Sequence, residues 1–145
     1  MTFEKIVVVG VNSLLNKVED KHILMLDYDD YLAFETLKDE LHRLQAEYHL
    51  GRAWVIETSR LKYSVFFFED VLPYIECIDI IRHTSCDPKF KRARMIYDEL
   101  TIRLSVKNGS VPRLIEIIEP TYPHSRRVIL PEQEAFMRQV SSCLK

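Results

Sequence analysis

Three carboxylates stand within four residues at the end of an apolar run, Ile23-Leu24-Met25-Leu26-Asp27-Tyr28-Asp29-Asp30. Strand side chains alternate between two faces, so Leu24, Leu26 and Tyr28 share one face while Ile23, Met25, Asp27 and Asp29 share the other. Two carboxylates at i and i+2 can converge on one hard cation, and Mg²⁺ and Mn²⁺ prefer oxygen ligands. Asp27 and Asp29 are therefore the candidate metal-holding and catalytic pair. A local reading competes with this one, in which Asp29 or Asp30 only caps the helix that follows. A second set of residues bears on the same chemistry. Along Glu99 to Lys107, Leu100, Ile102, Leu104 and Val106 point one way and Thr101, Arg103, Ser105 and Lys107 the other. Arg103 and Lys107 beside a carboxylate-held metal would bind the outer phosphates of a nucleotide, which is the composition of a phosphoryl-transfer site. An uncovered sheet face is polar in any case, which is the bland alternative.

Other catalytic plans find less support. Gly10, Gly51 and Gly109 are the only glycines, so there is no glycine-rich phosphate loop. His22, His42, His49, His83 and His124 form no paired motif, which weighs against a zinc hydrolase. No Ser or Cys nucleophile motif occurs. Trp54, Tyr63 and Phe67 are aromatics in the region where an RNA-binding sheet carries stacking residues, but Phe66-Phe67-Phe68 is a core-like run.

The elements that must position these residues follow from periodicity. Residues 3–11 are β-branched and read as a first strand, 12–21 as a polar connection, and 22–28 as the central strand. Phe34, Leu37, Leu41, Leu44 and Tyr48 recur at intervals of 3, 4, 3 and 4, predicting a helix over about 31–49, capped by Asp30 and stopped by Gly51. Strands over 52–58 and 63–68 flank the turn Ser59-Arg60-Leu61-Lys62. A second helix over 71–82 carries Pro73 in its first turn, with Leu72, Ile75, Ile78 and Ile81, or Cys77 and Ile80, as its buried face. Residues 83–97 read as basic and irregular, broken at Asp87-Pro88. Asn108-Gly109 predicts a hairpin from the strand 99–107 to a partner over about 112–118, and 132–143 reads as a terminal helix.

From residue 22 the order is β-α-β-β-α-β, so the expected fold is α+β: a ferredoxin-like or RRM-like antiparallel sheet with both helices on one face. The core spans about 22–107 of a single domain over 1–145, with an added N-terminal strand and a C-terminal extension over about 112–145. That plan brings Asp27 and Asp29 onto the uncovered face, with the first and last strands of the motif as neighbours that place them beside Arg103 and Lys107.

Length and composition set the outer bounds. The chain has 145 residues, 47% hydrophobic and 29% charged, and no apolar run approaches the roughly 20 residues of a membrane span. No secretory leader is recognisable at Met1, and Cys77, Cys86 and Cys143 are odd in number without metal-ligand spacing; a reducing, cytoplasmic setting is expected. The net charge of −2 hides an asymmetry: residues 1–81 hold 8 Lys/Arg against 15 Asp/Glu, whereas 82–113 hold 8 against 3. Lys89, Lys91, Arg92 and Arg94 cluster in that basic segment, which reads either as a footprint for single-stranded or primed DNA or RNA, or as a solvated loop.

The apolar strand Leu24-Met25-Leu26-Asp27-Tyr28-Asp29, the segment Ser59-Arg60-Leu61-Lys62-Tyr63-Ser64-Val65 and the strand Thr101 to Lys107 together resemble the catalytic core of archaeo-eukaryotic primases and primase-polymerases. The resemblance covers about 22–107 and implies an RRM-like catalytic core, nucleotide and DNA as ligands, Mg²⁺ or Mn²⁺ held by Asp27 and Asp29, and replication proteins as partners. It assigns nucleotide or phosphate binding to Ser59, Lys62, Ser64, Arg103 and Lys107. Ser64 stands where the family carries a nucleotide-binding His, and the family's third acid falls on Asp98 or Glu116. These departures imply weak or lost strand synthesis; a non-catalytic nucleic-acid-binding or replication-accessory module is the alternative.

Overall fold

The computed structural model describes residues 10–97, 99–103 and 111–121. The elements run β1 (Gly10–Asn12), β2 (Leu14–Asn16), β3 (Lys21–Tyr28), α1 (Phe34–Tyr48), β4 (Ala53–Ser59), β5 (Lys62–Leu72), α2 (Tyr74–Arg82), α3 (Pro88–Ile96), β6 (Thr101–Arg103) and β7 (Arg113–Ile118). The class is α+β with antiparallel sheets. Five strands form one sheet in the order β2-β3-β5-β4-β7, and β1 pairs with β6 in a separate two-stranded ribbon.

Period-2 alternation sorts the central strands onto two cores. Leu24, Leu26 and Tyr28 of β3, Val55 of β4 and Val65 and Phe67 of β5 pack with Leu37, Leu41 and Leu44 of α1, Cys77, Ile80 and Ile81 of α2 and Phe90 of α3. All three helices thus contribute to the core on one face of the sheet. The intervening residues Ile23, Met25, Trp54, Ile56, Phe66 and Phe68 build a second core with Val11 of β1. Phe66 and Phe68 stack at 5.4 Å between ring centres, and Trp54 meets Phe68 edge-on at 5.3 Å. The expectation of an open polar face is thereby corrected. The sheet's far side is apolar along most of its length and is covered by the β1–β6 ribbon, with Leu100 and Ile102 packed against both cores. Trp54, Tyr63 and Phe67 are all buried, so none offers a ring for base stacking.

Several local boundaries differ from the sequence reading. Helix α1 begins at Phe34 with Ala33, not Asp30, at the cap position, and it ends at His49 in the left-handed conformation (φ 55°) rather than at Gly51. Strand β5 runs on to Leu72, which leaves Pro73 as the residue preceding α2. The buried face of α2 is Cys77, Ile78, Ile80 and Ile81, whereas Ile75 is 73% exposed. The basic segment is irregular only as far as Asp87; Pro88–Ile96 form α3. Pro88 opens α3, since a first-turn proline lacks only an amide hydrogen that the helix would leave unpaired anyway.

The last strands also differ. Thr101–Arg103 does not lie beside β3; Arg103 pairs with Gly10 of β1, and β2 flanks β3 instead. Over the described residues β7 pairs with β4, from Ala53–Ile118 to Glu57–Arg113, a pairing the sequence reading did not include. The side-chain amide of Gln45 fixes that edge, donating to the carbonyls of Gly51 (2.8 Å) and Ile118 (3.0 Å) from inside the core. Burial of Ile118 and these two bonds hold β7 against β4. The hairpin turn itself, the first strand before residue 10, and the terminal helix lie outside the described residues.

Candidate functional site

Asp27 sits at the end of β3 directly opposite Ser64 of β5. The Ser64 hydroxyl donates to Asp27 Oδ1 at 3.2 Å. Both belong to the parity that carries Met25 and Phe66 into the second core, so the two polar side chains form the end of an otherwise apolar face. The Asp27 carbonyl accepts from the Asp87 amide at 2.9 Å, which ties the start of α3 to the end of β3.

Asp29 lies just past the strand. Its carboxylate is 53% exposed and meets Lys62 Nζ at 3.3 Å. The β4–β5 hairpin returns Lys62 to that position through a two-residue turn in which Leu61 takes a φ of 58°. The Lys62 ammonium also lies 5.1 Å from the centre of the Tyr31 ring. The hydrogen bond and charge of Asp29 hold the Lys62 proton above the ordinary lysine range.

Asp27, Asp29, Ser64, Thr58 and Thr101 form the polar lining of a cleft of about 350 Å³, and Phe90, Leu100 and Ile102 form its apolar lining. Its walls therefore come from β3, β4, β5, α3 and the β6 segment. A carboxylate pair, three hydroxyls and a neighbouring ammonium can hold a hydrated divalent cation and an anionic oxygen ligand. Among the described residues no three His, Cys, Asp or Glu side chains gather as a metal site. Glu116, one candidate for a third acid, instead pairs with Lys38 of α1 at 3.1 Å; Asp98 lies outside the described residues.

The other expected site residues divide. Ser59 pairs with Lys62 at the hairpin end and does not line the cleft. The backbone at Arg103 is in the ribbon, adjacent in sequence to the cleft residues Thr101 and Ile102. Lys107 lies outside the described residues. In α3, Lys89 and Arg92 are exposed. Lys91 Nζ donates to the Thr84 carbonyl. Arg94 is only 2% exposed, donates to Ser13 Oγ and the Tyr97 carbonyl at 3.3 Å each, and lies 5.4 Å from the Tyr74 ring centre. Arg94 is a packing residue, not part of an open basic surface. Burial pushes the Cys77 and Cys86 thiols up to about 12, so neither is a nucleophile near neutral pH.

The sequence reading missed Thr58, Phe90 and Thr101 as cleft residues. Thr58 was within reach, because it shares parity with Trp54 and Ile56 on β4. Phe90 and Thr101 depend on how α3 and the ribbon dock, which no local pattern encodes. Comparison of the chain with protein-family models, curated proteins and solved structures gives no match.

Proposed function

We propose that the cleft at the end of β3 binds a nucleotide through its phosphates together with Mg²⁺ or Mn²⁺, in a primase-polymerase-like protein of nucleic-acid replication whose strand synthesis is weak. The observation that carries this reading is the shared cleft of Asp27, Asp29, Ser64 and Thr58, flanked by Lys62. Asp27 and Asp29 serve as the metal ligands, and Lys62, Ser64 and Thr58 as phosphate contacts. The neighbouring order β3-β5-β4, with α1 and α2 in one core, supports a ferredoxin-like or RRM-like plan for this part of the chain. Two features favour binding over efficient catalysis: Ser64 offers an uncharged hydroxyl where a His is expected, and Glu116 is held away by Lys38.

Calorimetric titration of Mn²⁺ with each nucleoside triphosphate tests this. The wild type should bind in a metal-dependent manner, and Asp27→Ala should weaken binding by at least about tenfold, the loss typical of removing even an outer-shell metal partner. Equal binding by the variant, or binding indifferent to metal, would remove the site. The accessory-module reading keeps one observation of its own, the exposed Lys89 and Arg92 on α3.

A further inference from the structure

We infer that Lys62 is an exchangeable counter-ion of the cleft, and that it makes the divalent cation and the phosphate ligand bind there together rather than singly. This rests on the metal-and-phosphate reading of the Asp27–Asp29 cleft. The ammonium of Lys62 stands 3.3 Å from Asp29 Oδ1, where it already neutralises one of the two carboxylates. A cation that arrives alone must displace it, placing two positive groups in competition for the same oxygen. It also gains little coordination, because Mg²⁺ and Mn²⁺ favour six oxygens and the described residues gather no third acid at the cleft.

A phosphate changes both terms. Its oxygens fill positions on the metal that would otherwise hold water, and they accept the ammonium that leaves Asp29. The Tyr31 ring, 5.1 Å from Nζ, offers the displaced ammonium a second contact on the same side of the hairpin. Each ligand therefore relieves the obstacle to the other. Linkage requires the effect to be mutual: phosphate tightens metal binding by the same factor as metal tightens phosphate binding.

The test titrates Mn²⁺ alone, inorganic tripolyphosphate alone, and the two together into wild type, Lys62→Gln and Asp27→Ala, with circular dichroism as the folding control. In wild type, tripolyphosphate should tighten Mn²⁺ binding by about tenfold, within the usual range of coupling. Lys62→Gln should bind Mn²⁺ alone more tightly and Mn²⁺ with tripolyphosphate more weakly, so the coupling factor falls towards one. Opposite signs from one substitution are not produced by general loss of structure. If Lys62→Gln shifts both affinities the same way or neither, while Asp27→Ala abolishes both, the counter-ion role is wrong and the metal site stands. If wild type binds no Mn²⁺ under any of these conditions, the site itself falls and the coupling with it.

Discussion

At Asp27 a hydroxyl faces a carboxylate because β3 and β5 are antiparallel neighbours with Asp27 and Ser64 in register. The i, i+2 spacing with Asp29 was legible from alternation alone; the Ser64 partner was not, because register between strands is a tertiary property. Burial dominates elsewhere at this scale. Cys77 and Cys86 rise from the usual 9.0 to about 12, chiefly because a thiolate would be desolvated. In the unfolded chain these thiols ionise near their ordinary value. Between about pH 9 and 12 the unfolded state therefore binds fewer protons than the native state, and stability falls as pH rises. The contribution is fully present below pH 9 and lost through 12, at up to about 1.4 kcal/mol per pH unit per thiol. Denaturant unfolding from pH 8 to 11 should show this decline, and Cys77→Ala should reduce its slope. A slope unchanged by Cys77→Ala would show that its thiol is not protected.

Among the elements, α3 departs most from its sequence reading. Asp87-Pro88 marks a chain break as readily as a helix start, and Phe90 and Arg94, four residues apart, are its only two buried side chains. Its charges do different work. Arg94 ties the helix to Ser13, whose amide and hydroxyl also bond the backbone of Leu100, so α3 and the segment leading into β6 are held at one node. Removing it takes one of two donors from Ser13 Oγ and the guanidinium donor from the Tyr97 carbonyl, and empties a buried site. Arg94→Ala should lower unfolding stability by about 2–4 kcal/mol, as loss of charged hydrogen bonds inside a core does. The double change Lys89→Glu with Arg92→Glu should leave stability within about 0.5 kcal/mol, since both side chains project into water. If α3 touches single-stranded nucleic acid, that double variant should also reduce the salt slope of binding by about 1.4, or 0.7 per lost phosphate contact. Chemical denaturation and a salt series of fluorescence titrations check both. Large destabilisation by the surface pair, or none by Arg94→Ala, would reverse these roles.

For the whole molecule, the α+β class, the central strand, helices α1 and α2 and the β4–β5 hairpin were legible, because each has a strong period or a short connection. The second core was not. Ile23, Met25, Trp54, Ile56, Phe66 and Phe68 form continuous apolar runs with the other parity, and such runs mean a sheet covered on both sides. The covering ribbon joins residues about 90 positions apart, a pairing no local window detects. This arrangement confines the polar end of the far face to one cleft, and the described helices include none long and apolar enough to cross a membrane. The central claim is that Asp27 and Asp29 hold a divalent cation in that cleft. Paramagnetic broadening of amide NMR signals by substoichiometric Mn²⁺, with tripolyphosphate present, tests it most directly. Broadening should centre on residues 27–29, 58, 62–64 and 101, and should vanish in Asp27→Ala; broadening centred elsewhere, or unchanged by that substitution, would contradict it.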